Sequence, residues 1–316
     1  MKRLCIACLL INALSTSAQE YQMITVGGTT FRSEVMEVEG KKYPVSNVWG
    51  NKMYSFPKDT LLDMAKVACT FSHTIYAPGV DERHEYYYML LSGTKHSWYG
   101  AYQYYRVDSL LNHRDRDTIS SKMHEAIMRH CAVPHNGGFE KNWKNHMTGE
   151  VETYDFFAGS GYICSEPRID FGWTLADDTM TVCGHMCHKA TCSFRGRNWV
   201  AWYADDIPIS DGPWKFSGLP GLILHIEDSQ REHIFDAMSV RPGNPDGRVH
   251  KEDRSEWAFK AKREWMLKAK ANARRNPEAA LSAAGLMPKN LDGTPATFPK
   301  QFFNPIEKER GGACSY

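Results

Sequence analysis

The densest group of side chains that could do chemistry lies between Cys183 and Cys192, where three cysteines and two histidines fall within ten residues. Thiolates and imidazoles are ligands for zinc and copper. In a strand, Cys183, His185 and Cys187 would point to one face, and His188 and Cys192 to the other. Only three possible ligands then converge, so these three are candidate metal ligands. The favoured interpretation is disulfides with surface histidines, and no cofactor is predicted.

Two other groups contain residue types that bind or cleave substrates. Glu166 and Asp170 are candidate paired carboxylates for glycoside or peptide hydrolysis. Arg195 and Arg197 could bind phosphate or carboxylate through their guanidinium groups. The acids at 205–206 favour structural ion pairs for these arginines instead. The sequence has no nucleophile elbow, zincin, Walker or dinucleotide-binding motif, which favours a protein that is not an enzyme.

The composition of the chain excludes some classes of protein and partner. The 316 residues include 38 basic and 37 acidic side chains, for a net charge of +1. No overall positive field attracts nucleic acid, so no nucleic-acid partner is expected. Hydrophobic residues make up 42% and aromatic residues 12% of the chain, which excludes a disordered protein.

The first 18 residues have the features of a secretory signal peptide. Lys2 and Arg3 precede an apolar run over 4–14, and small residues at 16–18 come before Gln19. No later segment reaches 18 uninterrupted apolar residues, so no membrane span is predicted. We therefore expect an exported protein of the periplasm or cell envelope. Seven of the nine cysteines follow residue 18; in an oxidising compartment we expect disulfides, with at least one thiol left over.

Alternating apolar residues and turn signals predict a β-rich chain. Short hairpin strands are expected within 19–55, and the spacing of apolar residues predicts an amphipathic helix over 117–130. We expect an α+β fold, in which a strongly curved antiparallel sheet, half-barrel-like, wraps this helix. The other predicted strands are 67–76, 85–91, 97–107, a hairpin over 145–152, 161–166, 171–175, 181–194, 198–205, 222–228 and 233–240.

A basic extension follows a linker at 242–247. Residues 254–275 predict one helix with eight Lys or Arg and the two tryptophans Trp257 and Trp265. This helix could bind anionic lipid, nucleic acid or an acidic partner; the favoured interpretation docks both tryptophans on the sheet and leaves the lysines in water. The predicted organisation is a signal peptide (1–18), a β-rich domain (19–245) and a basic helical extension with a loose tail (246–316).

One motif resembles a known family. The run is Gly218-Leu219-Pro220-Gly221-Leu222-Ile223, which resembles the name-giving motif of the GLPGLI family. The preceding segments 194–197, 201–203 and 207–208 are also similar to that family, and the resemblance extends over about residues 65–240. It implies an exported β-rich protein of the Bacteroidota without an agreed activity, and it supplies no catalytic residue.

The same motif has a structural interpretation. Pro213 and Pro220 fix φ, and the neighbouring glycines permit positive φ or close backbone approach. We expect Trp214 and Phe216 to cover an open end of the sheet, and 222–226 to begin a buried strand. The corner is therefore predicted to be architectural.

A curved sheet rich in aromatic residues predicts a concave binding face. We expect a non-catalytic binding or envelope-associated protein whose ligand is a peptide, a lipid or a segment of an envelope protein. The alternative is a hydrolase, metal-dependent or otherwise, that uses Cys183, His185 and Cys187 or the region around Glu166.

Overall fold

The computed structural model describes residues 21–26, 29–45, 52–76, 83–112, 118–133, 138–243, 247–283 and 304–308, with residues 285, 294 and 297. The predicted signal peptide and Cys314 lie outside these ranges. The chain divides into two compact units, residues 1–56 with 106–132 and residues 57–105 with 133–316. Both sides of the predicted boundary at residue 245 therefore lie in the second unit.

The first unit contains a three-stranded antiparallel sheet and helical segments. The elements are β1 (Tyr21–Val26), β2 (Thr29–Val38), β3 (Lys41–Val45), the C-terminal part of α1 (Tyr102–Asn112) and α2 (Ser121–Cys131). Ser120 caps α2 by accepting a hydrogen bond from the Met123 amide at 3.1 Å. The buried side chains of α2 pack on β2 and β3, whereas the sequence predicted them against the large sheet.

The second unit is built on an open, almost entirely antiparallel sheet of 12 described strands. Among these described strands, only Ser160–Glu166 and Ala258–Lys260 pair in parallel. The predicted antiparallel sheet is thus confirmed, and it is not closed into a barrel. In spatial order the strands are β11 (Thr174–Val182), β12 (His185–Phe194), β13 (Arg197–Ala204), β14 (Leu222–Asp228), β15 (His233–Pro242), β5 (Val67–Tyr76), β6 (Arg83–Ser92), β7 (His96–Ala101), β8 (Lys141–Asn145), β9 (Val151–Phe157), β10 (Ser160–Glu166) and β17 (Ala258–Lys260).

The remaining described elements of this unit are a small strand pair and two helices. Strand β4 (Asp59–Met64) pairs with β16 (Arg248–Glu252), and α3 (Arg263–Arg275) is followed by α4 (Pro277–Ala283). Within the described ranges, no helix has the length and apolar character needed to cross a membrane.

Several predicted elements are wrong at their boundaries. Of the strand predicted over 171–175, only residues 174–175 lie in a strand, at the beginning of β11. The strand predicted over 97–107 ends at Ala101, and α1 begins at the next residue. Val107 and Leu111, one helical turn apart, are buried together in the first unit, and this packing outweighs the β propensity of the tyrosines. The helix predicted over 254–275 begins only at Arg263, because residues 258–260 are the edge strand β17.

The proline-glycine corner at 212–221 packs closely on the strands it joins. A side-chain carbon at Gly221 would collide with the carbonyl oxygen of Ala204, and one at Gly212 would lie 2.9 Å from the Cβ of Ile223. The corner also buries Trp214 and Phe216 in the main core. These two positions therefore require glycine, because the neighbouring residues leave no room for a side chain.

Candidate functional site

A cavity of about 370 Å³ lies in the second unit. One wall is the face of seven neighbouring strands, from β15 through β5 to β10. Other walls come from α3, from the corner and from the segment 304–307. Aromatic and aliphatic lining residues include Tyr86, Tyr88, Phe139, Phe156, Trp214, Phe235, Met266 and Leu267. Phe139 and Phe156 are the exposed members of this set, with ring centroids 5.3 Å apart.

Four polar side chains form a row along the floor of the cavity. Tyr99, Asn142, Thr153 and Cys164 lie directly opposite one another on β7, β8, β9 and β10. The Thr153 hydroxyl donates to Asn142 Oδ1 at 2.8 Å. Strand register alone brings these residues together, because they are spread over 66 positions of the sequence.

Two polar atoms of this row have no hydrogen-bond partner among the described residues, Tyr99 Oη and Asn142 Nδ2. Tyr99 is 2% exposed and Asn142 is 1% exposed. Burial also raises the pKa of Tyr99 well above its ordinary value, so its hydroxyl keeps its proton. A buried polar group left unpaired costs about 1–3 kcal/mol. The floor therefore contains a phenol hydroxyl and an amide N–H whose hydrogen-bonding capacity the described residues leave unused.

A pair of buried histidines lies beside this floor. His73 Nε2 and His233 Nδ1 are 3.0 Å apart, and the His73 ring stacks on Phe235 with centroids 3.8 Å apart. Burial lowers the pKa of His73 to about 3 and also lowers that of His233. Both rings are neutral near pH 7, and one donates its proton to the other.

A buried carboxylate, Asp155, and a half-buried one, Glu140, meet one ammonium on the side of the cavity formed by α3. Lys270 Nζ lies 3.0 Å from Glu140 Oε2 and 2.5 Å from Asp155 Oδ2. Trp214 Nε1, from the corner, donates to Glu140 Oε1 at 3.0 Å. The corner thus contributes directly to the cavity, beyond the architectural role that the sequence predicted.

The two carboxylates differ in acidity. Burial opposes ionisation of Glu140, but Lys270 and Lys215 outweigh it and lower its pKa to about 2. Burial, helped by the charge of Glu140, raises the pKa of Asp155 despite Lys270. Such a pair, with acidities pushed in opposite directions, can hold and move a proton.

A second ion network closes the cavity at the segment 304–308. Lys215 Nζ lies 2.5 Å from Glu166 Oε2 and 3.0 Å from Glu307 Oε1. Arg195 contacts both carboxylates at 2.5 Å, and Arg263 contacts Glu307 at 2.7 Å. Glu166 is therefore buried in a structural ion network and is not a free catalytic carboxylate.

Glu166 and Asp170 do not form the predicted acid–base pair. Asp170 is exposed, and its Oδ1 accepts a hydrogen bond from the Gly172 amide at 2.9 Å, which fixes a turn. Glu166, by contrast, is a buried member of the network described above.

The arginines form ion pairs, as predicted, but the predicted partners at 205–206 are wrong. Arg197 lies 2.6 Å from both Asp228 and Glu232, and it donates to Asn304 Oδ1 at 2.7 Å. It also donates to the carbonyl oxygens of residues 305 and 306. Arg197 is the first residue of β13, and residue 205 lies about 25 Å further along the extended chain. The segment 304–308, predicted as loose tail, is therefore bound to the sheet.

The predicted metal ligands do not converge. The strand predicted over 181–194 is broken by a hairpin turn at Cys183-Gly184, where φ is 50° and 83°. Cys183 is exposed at that turn, His185 pairs with Asp206 at 2.7 Å, and Cys187 is buried. Within the described ranges, no three His, Cys, Asp or Glu side chains are grouped to hold a metal, and none of these three candidates lines the cavity.

The cysteines within the described ranges are thiols: Cys69, Cys131, Cys164, Cys183, Cys187 and Cys192. Burial raises the pKa of Cys187 to about 11, so its thiolate is not formed near pH 7. With Cys314 outside the described residues, disulfide bonding stays a prediction.

The residues that meet in the cavity were not identified from sequence. A signal was present in β9, where Val151, Thr153, Asp155 and Phe157 alternate on one face. A carboxylate on an otherwise inward-facing row indicates either a buried ion pair or a site. No comparable pattern marks Glu140 or Lys270, whose roles depend on how distant segments pack.

Comparison with known proteins gives two findings. Residues 194–225 match the model of a family described as a protein of unknown function, Porph_ging. This segment contains β13 and the corner with Trp214 and Lys215, two of the residues that line the cavity. No curated protein matches the chain.

Among solved structures, the fold is similar to PNGF-II in two crystal forms. The P21 form is 13% identical, with a TM-score of 0.42, over 65% of this chain and 32% of that chain. The C2 form is 13% identical, with a TM-score of 0.41, over 64% and 32%. The chain thus spans about a third of the length of those structures.

Proposed function

We propose that this protein binds a small amphipathic ligand in the cavity, with its apolar part against the aromatic walls and an acceptor oxygen at the floor. The observation that carries this proposal is the pair of unpartnered buried atoms, Tyr99 Oη and Asn142 Nδ2, within an aromatic cavity. A ligand oxygen that accepts a hydrogen bond from either atom would offset the cost of burying that atom without a partner. The volume falls in the range of small-molecule sites, about 300–1,000 Å³.

A short peptide segment suits the cavity better than an acyl chain. The lining contains the ion-paired groups Glu140, Asp155 and Lys270. An acyl chain would cover these groups without bonding them, whereas peptide amides can donate to carboxylates and accept from Lys270 or Asn142. An aromatic or aliphatic side chain of the peptide would fill the space between Tyr88 and Trp214.

The experiment measures binding of anilinonaphthalene sulfonate, an aromatic fluorophore with acceptor oxygens, and its displacement by aromatic tripeptides or by lauric acid. Tyr99→Phe and Asn142→Leu should weaken binding of the fluorophore. The matched control is Tyr203→Phe, because Tyr203 is buried in the main core outside the cavity. Displacement by tripeptides supports the proposal. Displacement by lauric acid alone contradicts the preference for a peptide, and equal binding by all variants contradicts the cavity as the binding site.

Hydrolysis of the bound ligand is a second candidate function. It is favoured by the Glu140–Lys270–Asp155 arrangement, in which one carboxyl is made more acidic and the other less. Glu140 and Asp155 thus take the role in hydrolysis that the sequence suggested for the region around Cys183. Turnover of peptide or glycoside substrates that is lost in Glu140→Gln and Asp155→Asn, with fluorophore binding kept, would support it. No turnover by the wild-type protein would leave binding as the function.

We propose further that the protein belongs to the GLPGLI family and is exported to the periplasm or cell envelope. The matched segment 194–225 contains the motif at 218–223, and residues 1–18 have the composition of a signal peptide. We also propose that the large sheet curves around the cavity and α3, since one face of seven consecutive strands borders a single cavity. Mass analysis of the secreted protein tests export, with Gln19 as the expected first residue.

A further inference from the structure

Three large aromatic side chains are exposed within nine residues of the chain. Trp257 is 51%, Phe259 is 64% and Trp265 is 49% exposed. Tyr162 joins two of them, with ring centroids 6.0 Å from Phe259 and 5.1 Å from Trp265. We refer to Tyr162, Trp257, Phe259 and Trp265 as the aromatic patch. Exposed apolar clusters of this kind mark interaction surfaces, and none of the four residues lines the cavity.

The chain around the aromatic patch is strongly basic. Residues 257–275 contain seven Lys or Arg and a single acid, Glu264, although the whole chain has a net charge of +1. Two of these cations, Arg263 and Lys270, bind buried carboxylates. Four of these cations are exposed: Lys260, Lys262, Lys268 and Arg275. None of the four forms an ion pair with a carboxylate in the described ranges.

Helix α3 places an aromatic and a basic side chain side by side on its exposed face. Met266 is the buried residue of the helix, and Lys270 lies one turn later on the same inward face. Trp265 and Lys268, three residues apart, share the opposite face, and both are exposed. The helix thus binds its own sheet with one face and leaves tryptophan and lysine together on the other.

We propose that the aromatic patch and its four exposed cations bind the surface of an anionic lipid bilayer. Indole and phenyl rings insert at the level of the headgroups, and lysines beside them attract anionic headgroups. Each such cation strengthens binding by about fivefold. Protruding rings suit a bilayer, which accepts them without a complementary groove, better than an acidic protein.

The experiment uses the full chain after export, with vesicles of phosphatidylcholine alone or of phosphatidylcholine with phosphatidylglycerol. Co-sedimentation and the blue shift of tryptophan fluorescence report binding. Wild-type protein should bind only the vesicles with phosphatidylglycerol, and added salt should weaken binding. The triple variant Lys260→Glu, Lys262→Glu, Lys268→Glu should lose at least about a hundredfold in affinity, because it removes three attractive charges and adds three repulsive ones.

Two further variants make the outcome specific. Trp257→Ser, Phe259→Ser, Trp265→Ser should also lose vesicle binding while keeping a cooperative thermal unfolding transition, since about half or more of each of the three side chains is exposed. The matched control reverses three exposed lysines elsewhere in the second unit, Lys58, Lys66 and Lys95. Equal loss in the control, equal binding to both vesicle types, or binding to acidic peptides without vesicle binding would each overturn the proposal. Tyr99→Phe should leave vesicle binding unchanged, which separates this surface from the cavity.

Discussion

Removing the Tyr99 hydroxyl should stabilise the ligand-free protein while weakening ligand binding. The hydroxyl is buried and has no partner among the described residues, so the folded state loses the hydrogen bond that the unfolded state makes with water. Tyr99→Phe keeps the ring against Tyr88, where the centroids are 5.0 Å apart. We expect an increase of about 1 kcal/mol in the free energy of unfolding. For a unit of this size, that corresponds to a rise of about 2–4 °C in melting temperature.

The same substitution removes one hydrogen bond to the ligand, worth about 1 kcal/mol, so affinity should fall about fivefold. Urea unfolding without ligand and fluorophore titration measure the two effects on the same preparation. Tyr203→Phe serves as the control for a buried tyrosine outside the cavity. A loss of stability of about 1 kcal/mol in Tyr99→Phe would show that the hydroxyl is already satisfied in the ligand-free state, for example by an ordered water, and would refute the reasoning.

Three other predictions concern buried groups. Lys270→Met leaves the buried Asp155 and the half-buried Glu140 without their cation, so urea unfolding should show a loss of about 3 kcal/mol, largely recovered when both carboxylates are also made amides. Burial lowers the pKa of His73 from 6.5 to about 3, so the unfolded chain binds the proton first as the pH falls. The contribution of neutral His73 to the free energy of unfolding is full above pH 6.5 and falls by about 1.4 kcal/mol per pH unit below it. His73→Gln should reduce this slope when unfolding is measured as a function of pH. Gly221→Ala places a methyl group against a backbone carbonyl, so we expect loss of soluble folded protein, measured by circular dichroism.

The strands were predictable because their signal is local. Alternation over 67–76, 198–205, 222–228 and 233–240 agrees with β5, β13, β14 and β15 to within two residues. The corner was also visible, since its prolines and glycines are contiguous. The break at Cys183-Gly184 was missed, because only the glycine signals a turn and the flanking residues continue the strand pattern.

The cavity was not predictable, because its composition depends on register and packing. Tyr99, Asn142, Thr153 and Cys164 form a row only after four strands pair in one alignment. The helix containing Lys270 was predicted to begin nine residues too early, with its tryptophans inward. Once the edge strand β17 ends at residue 260 and the helix begins at 263, Met266 and Lys270 are the residues that face the sheet.

The contacts of Arg197 have a consequence for how the chain is assembled during synthesis. Its guanidinium binds Asn304 across 107 residues of sequence, and the segment 304–307 forms one wall of the cavity. A nascent chain can pair most of its strands long before that wall has left the ribosome. We therefore expect this wall of the cavity to be added after the strands have paired, and a frameshift at residue 304 to remove the ligand site while the pairing of the strands is kept.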